Sequence, residues 1–285
     1  MYIEPNSKVY YDSNLAPTVS FVQNLVTTNI VKYSESSDVN KFGGRFKYSQ
    51  FQKVIDQSHE SVMSNITNID IRRDINAQLN TFAEYELCYG NRFYVKNHGH
   101  SANFNGNLVG YNIKSSGFTV SGISGTVYLG DSSVGNLSKG TVFLFKLNSS
   151  SEPYIVRQNV GTIDYVKGEI KLNPINIIAT LVNRGTPLVE VSATPYSNDV
   201  IGLQDLYLQL DVNNTVVNVV TDNISSGNDV SGTNYIVSSS YGSNALVRGN
   251  PIFQVETNSG PTTSSSTNVT TSVEGVSTTS RRTSS

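Results

Sequence analysis

FGGRFKYSQFQKVIDQSHESVMSNITNIDIRRD, residues Phe42 to Asp74, contains the change of period that decides the fold class. Ser49 followed three residues later by Gln52 has the form of a capping box, and Phe51, Val54 and Ile55 stand at the i, i+3, i+4 spacing that buries one helical face. After Ser58 the period becomes two. Ile69 and Ile71 alternate with Asp70 and Arg72, which predicts a half-buried strand with a polar second face. The Gly43-Gly44 step in front of the helix predicts a hinge.

On the N-terminal side, residues 1–41 are polar and rich in Asn, with short β-like pieces at Thr18 to Phe21 and Asn29 to Tyr33, and read as a lead-in segment. Residues 42–97 read as the helix plus a small antiparallel sheet, because alternation continues through IDIRRDI, FAEYELCY and RFYVK. Phe82, Tyr85, Tyr89, Phe93 and Tyr94 supply aromatic side chains for cross-strand contacts there. Residues 98–256 read as a β-rich assembly domain with strands at Leu108 to Ile113, Phe118 to Leu129, Thr141 to Leu147, Tyr154 to Val160, Glu169 to Ile178, Leu188 to Ala193 and Leu206 to Val212. Its clearest unit is the hairpin GTIDYVKGEIKLNPINI, Gly161 to Ile177, whose arms flank Lys167-Gly168. TVVNVV, Thr215 to Val220, is β-branched and uncharged, so it is expected to be covered or used at an interface. Residues 257–285 are Ser/Thr-rich without aromatic residues or period and read as a disordered tail. The fold class predicted is α+β, mostly β: a short N-terminal helix followed by antiparallel sheets.

Composition narrows the function. In 285 residues, hydrophobic side chains make up 37% and charged ones 15%, a balance that favours many short strands and turns. A net charge of -2 gives no basic footprint for nucleic acid. No apolar stretch approaches the length of a spanning helix, and no basic region followed by an apolar run marks a secretory signal. The single cysteine, Cys88, closes an alternating run and is expected at a strand end as an inert side chain.

Catalysis needs convergent groups, and the sequence brings few together. His98-Gly99-His100 places two imidazoles on one face of an extended segment, but neither a cysteine pair nor an acidic cluster flanks them, so they read as loop residues rather than a metal site. Gly117 to Gly125 lacks the lysine and following helix of a phosphate loop. Arg72 and Arg73 point to opposite faces of a strand, which predicts one exposed arginine and one whose stem covers the sheet. Glu84 and Glu86 share a face through solvent-facing alternation. No catalytic residue, metal ligand or cofactor is expected.

Three separated blocks then carry a resemblance. FGG-x-F-x-YS-x-F-x-x-x-ID-x-S (Phe42, Gly43, Gly44, Phe46, Tyr48, Ser49, Phe51, Ile55, Asp56, Ser58), the SNIT step Ser64 to Thr67 and the pair Arg72-Arg73 form the first. The hairpin Gly161 to Ile177 and the segment VSATPYSNDVIGLQDLYLQLD, Val191 to Asp211, are the others. Together, over Phe42 to Tyr241, they resemble the C-terminal region of the large ring-forming baseplate wedge protein of T-even-like contractile-tailed bacteriophages. Members of that family are longer, so the resemblance implies a fragment or split subunit. It also implies a structural, non-enzymatic oligomer in the virion, at the tail baseplate, assembled in the host cytoplasm. The partners implied are a second copy of the chain and other wedge subunits, with no nucleic acid and no membrane. Pairing through the β-rich region would join wedges into a ring around the hub, and the interface residues expected are Tyr48, Phe51, Arg72, Arg73 and Tyr85. A receptor- or glycan-binding tail or fibre module is the alternative, supported by 16 tyrosines and the His98/His100 pair.

Overall fold

The computed structural model describes residues 1–36, 38–95, 101–102, 108–109, 112–133 and 137–222. Its first part comprises β1 (Tyr2–Tyr11), α1 (Val19–Ser34), β2 (Lys41–Phe42), β3 (Arg45–Phe46), α2 (Tyr48–Asp56) and β4 (Val62–Asn76). Then follow β5 (Phe82–Cys88), β6 (Ser101–Ala102), β7 (Leu108–Val109), β8 (Lys114–Ser115), β9 (Phe118–Val120), β10 (Ile123–Ser132), β11 (Lys139–Leu147), β12 (Pro153–Asp164) and β13 (Glu169–Thr180). The chain ends its described course with β14 (Val182–Asn183), β15 (Pro187–Ala193), β16 (Val200–Ile201), β17 (Tyr207–Leu210) and β18 (Val216–Thr221). The expected tail, 257–285, and the His98/His100 pair lie outside the described residues.

Residues expected as a lead-in supply the middle of the main sheet. β1 pairs antiparallel with β4 along its length, and its other edge runs parallel to β17 at Tyr2 and Ile3 and to β18 from Asn6 to Tyr11. Pro5 falls between those two parallel ladders, where its missing N–H interrupts no bond on that side. β15 covers the other edge of β4, giving the order β14-β15-β4-β1-β17-β2, with β18 beside β1 and β8 beside β15. The sheets are antiparallel as expected except at this outer edge of β1, where the two parallel ladders make the main sheet mixed.

The pieces Thr18 to Phe21 and Asn29 to Tyr33, read as β-like, belong to the N-cap and body of helix α1. Thr18 Oγ1 accepts a hydrogen bond from Phe21 N at 3.2 Å, and Val22, Val26, Ile30 and Tyr33 form the buried stripe. Tertiary burial overrides the β preference of the branched residues. Helix α2 forms where predicted, with Phe51 and Ile55 buried, but the Ser49/Gln52 box does not cap it. Lys47 occupies the cap position without a side-chain bond, and Tyr48 N instead donates to Asp199 Oδ1 at 2.8 Å. Tyr33, Phe46 and Phe51 meet edge-on or tilted, with ring centroids 5.3 to 6.3 Å apart, and join the two helices to β3.

Between β4 and β15 the chain builds a second body. Antiparallel pairings β9–β10, β10–β11, β11–β12, β12–β13 and β13–β9 close a five-stranded ring filled by side chains such as Val127, Leu144, Ile163, Ile170 and Ile177. The predicted hairpin is its β12–β13 arm pair, turning through Tyr165 to Gly168 with Gly168 at φ +70°. β5 adds to β13, from Glu169↔Cys88 to Asn176↔Phe82, rather than to β4 as the continuous alternation implied. Both edges of β4 are already occupied, so no ladder remains for it. RFYVK, described as far as Val95, forms the isolated bridge Phe93↔Pro195 rather than a strand of this set.

The Gly43-Gly44 step, expected as a hinge, is a bonded corner. Gly43 N donates toward Leu203 O and Leu206 O, Gly44 N to Lys41 O, and Gly202 N to Gly44 O. A Cβ on Gly44 would stand 2.3 Å from Val39 O. Gly44→Ala is accordingly expected to lower unfolding free energy by about 1–3 kcal/mol, as overpacking against backbone does, measured by urea denaturation.

Candidate assembly surface and the buried arginine

Strand register determines what happens to the arginine pair. Opposite Arg72 stand Tyr2 on β1 and Ser192 on β15, and two residues along the same face come Glu4, Asp74 and Glu190. Arg72 is fully buried there. Its Nη1 donates to Glu190 Oε1 at 2.8 Å and lies 3.4 Å from Glu4 Oε1. Nε and Nη2 approach Asp74 Oδ1 at 3.1 Å and Asp211 Oδ2 at 2.9 Å as ion pairs without hydrogen-bond alignment. The Tyr2 ring covers the guanidinium, with Cζ 4.2 Å from its centroid, and Arg184 Nη2 adds a second cation on Glu190 at 2.9 Å. Arg73, on the opposite face, donates through Nη1 to Cys88 O and so ties the main sheet to β5.

Of the five expected interface residues, Phe51 and Arg72 are buried in the core and are not available to a partner. Tyr48, Arg73 and Tyr85 are half-buried and have structural partners: Tyr48 OH donates to Thr67 O at 2.8 Å, and Tyr85 OH accepts from Gln78 N at 3.0 Å. A strand pattern shows which residues share a face but not that the polar face is covered, which is why the pair read as one exposed arginine and one whose stem covers the sheet, whereas Arg72 is fully buried and Arg73 half-buried. Glu84 and Glu86 are exposed, as expected, and Lys171 beside Glu86 lowers its pKa. Cys88 ends β5, its thiol pKa pushed up by burial and neighbouring carboxylates. Buried hydroxyls act as posts elsewhere: Tyr165 OH donates to Asp131 Oδ2 at 2.7 Å, while Asp131 Oδ1 accepts from Asn112 N and Ile113 N. Burial and Asp131 hold the Tyr165 hydroxyl in its protonated form by raising its pKa.

One apolar surface that faces outward lies around the glycine corner. Phe42 and Tyr207 are paired across β2 and β17, their rings edge-on at 5.2 Å, and are 65% and 44% exposed. Leu203, also exposed, accepts from Gly43 N through its carbonyl, and exposed Ile201 pairs with Arg45 next to the Gly202 N to Gly44 O bond. Asn91 fastens this rim by donating to Ile201 O at 2.9 Å and accepting from Ile201 N at 3.1 Å. Arg92 lies over the exposed Tyr196 ring, 4.4 Å from its centroid, and Tyr196 N donates to Arg92 O. The result is an apolar corner with an aromatic and arginine flank, the composition that interface centres favour. Sequence reasoning missed it because outward Phe42 and Tyr207 have the same strand alternation as core residues.

Among the described residues no group of three His, Cys, Asp or Glu side chains is arranged to hold a metal ion, and no helix is long and apolar enough to cross a membrane. The Arg72 cluster has a structural role that mutation can measure. Arg72→Met is expected to cost about 3–5 kcal/mol in chemical denaturation, because it leaves buried carboxylates facing one another. Arg72→Lys should not rescue it, since one ammonium cannot reproduce the planar fork.

Residues 1–74 match the family model described as baseplate structural protein gp6, C-terminal domain III. The match starts before the Phe42 block, takes in β1, α1 and α2, and ends within β4 at Asp74. The hairpin Gly161 to Ile177 and the segment Val191 to Asp211 fall outside it. No curated protein matches the chain. The N-terminal quarter is thus similar to a baseplate structural protein, which supports a structural component of the phage virion located in the tail baseplate.

Proposed function

We propose that the chain is a wedge subunit of a T-even-like contractile tail baseplate that joins neighbouring wedges into a ring around the hub through its β-rich region. It works by binding, without a catalytic step or cofactor, and its partners are a second copy of itself and other wedge subunits. The exposed corner of Phe42, Ile201, Leu203 and Tyr207 carries this reading. These four side chains sit on backbone that is hydrogen-bonded on several sides, so a partner would meet a preformed surface at low ordering cost. Hydrophobic corners of this kind suit contacts with wedge subunits, and a ring needs more than one contact surface on each member.

The test is co-sedimentation with the other wedge subunits of the same phage. A Phe42→Asp, Leu203→Asp protein should keep its circular dichroism spectrum and bind those subunits at least about tenfold more weakly, the equivalent of 1.4 kcal/mol or more. Undiminished binding by that protein, with its fold intact, would remove the corner from the assembly.

A further inference from the structure

The outer edge of β18 remains open among the described residues. In its parallel ladder with β1, Asp222 N donates to Tyr11 O at 2.7 Å. By strand alternation, Val216, Asn218 and Val220 therefore direct their backbone groups toward β1, while Val217, Val219 and Thr221 present theirs outward. Gln23 Nε2 of α1 donates to Val217 O at 3.0 Å, and no described strand pairs there. The usual protections of an edge are missing, since Val216 to Val220 contains no lysine, proline or glycine. The neighbouring helix is also nearly uncharged. Lys32 is its one charged residue, and Val19, Gln23, Thr27 and Val31 are exposed.

The strand reads the same in both directions: Val216-Val217-Asn218-Val219-Val220. That symmetry matters because a two-fold contact places each residue opposite a residue at the mirrored position. We propose that two copies of the chain join edge to edge by antiparallel pairing of β18 with β18, with the two-fold axis at Asn218. The proposal rests on the reading above, that copies of this chain associate, and assigns that association to a surface separate from the Phe42 corner. In this register Val217 of one copy faces Val219 of the other, and both have outward backbone groups, so they exchange hydrogen bonds. Val216 meets Val220, and the two Asn218 side chains meet on the axis. The polarity of the backbone and the sequence agree at every position. Val217 O has two lone pairs and accepts the partner's amide alongside Gln23.

Asn218 pairs with itself at a site without direct hydrogen bonds, where Cα atoms in antiparallel sheets approach to about 4.5 Å, within reach of a disulfide. The experiment uses the full chain with Cys88→Ser, so that one thiol is present. Asn218→Cys in that background should oxidise to a disulfide-linked dimer, whereas Val216→Cys alone should not. An equal mixture of Val216→Cys and Val220→Cys proteins should form the mixed dimer. Asn218→Lys, at an exposed position, should keep the circular dichroism spectrum of the folded chain and weaken dimerisation in sedimentation equilibrium by at least about tenfold, because it sets two ammonium groups on the axis. A sedimentation dimer without the Asn218→Cys cross-link would overturn the β18 contact and leave self-association standing. A chain monomeric at all concentrations tested would overturn both.

Discussion

One guanidinium joins the strands of the main sheet. Arg72 takes carboxylates from β1, β4, β15 and the residue that follows β17, so its neutralisation is complete only when all four segments are in register. Burying an ion costs several kcal/mol, and incomplete pairing leaves that cost uncompensated. The cluster therefore favours one register. A slip of one residue on β4 would replace Arg72 by Ile71 or Arg73 on the polar face and move the isoleucines off the core face at the same time. Hydrophobic alternation and charge pairing thus select the same alignment independently.

Much of this was legible in local pattern. Ile69, Ile71 and the face of α2 announce themselves by period, and the β12–β13 hairpin by its turn glycine. What was not legible depended on distant residues. The helical stripe Val22, Val26, Ile30, Tyr33 was present in the sequence, but β-branched side chains and the lack of a capping-box glutamate hid it. The polar residues around Arg72 look solvent-facing strand by strand and become a buried cluster only when β1, β4 and β15 lie side by side. The cap of α2 comes from Asp199, which no local window contains. Exposed Phe42 and Tyr207 are the converse case, apolar residues that the pattern assigns to a core.

The two bodies divide the work. The ring of β9 to β13 leaves β4 and returns to β15, two strands that pair with each other from Asn76↔Leu188 onward. Topologically the ring occupies the place of a hairpin loop, held by β8 on β15 and by the Arg73 bond to Cys88 O. Its size and surface are thus separable from the register of the main sheet, whereas residues 1–74 are not separable from it. Their central strand lacks its parallel neighbours without β17 and β18, and their arginine lacks Glu190 and Asp211.

That dependence has a consequence in time. β1 leaves the ribosome ahead of its parallel partners β17 and β18, which follow only after the whole inserted ring has been made. Through that interval one edge of β1 and the charges around Arg72 have no native closure, and the pairing that finally supplies it spans the longest loop in the described chain. Closing such a loop is slow compared with forming the local hairpin of the ring. While the ring is being made the chain therefore carries an open strand edge, and the main sheet is completed only after the last ring strand has been added.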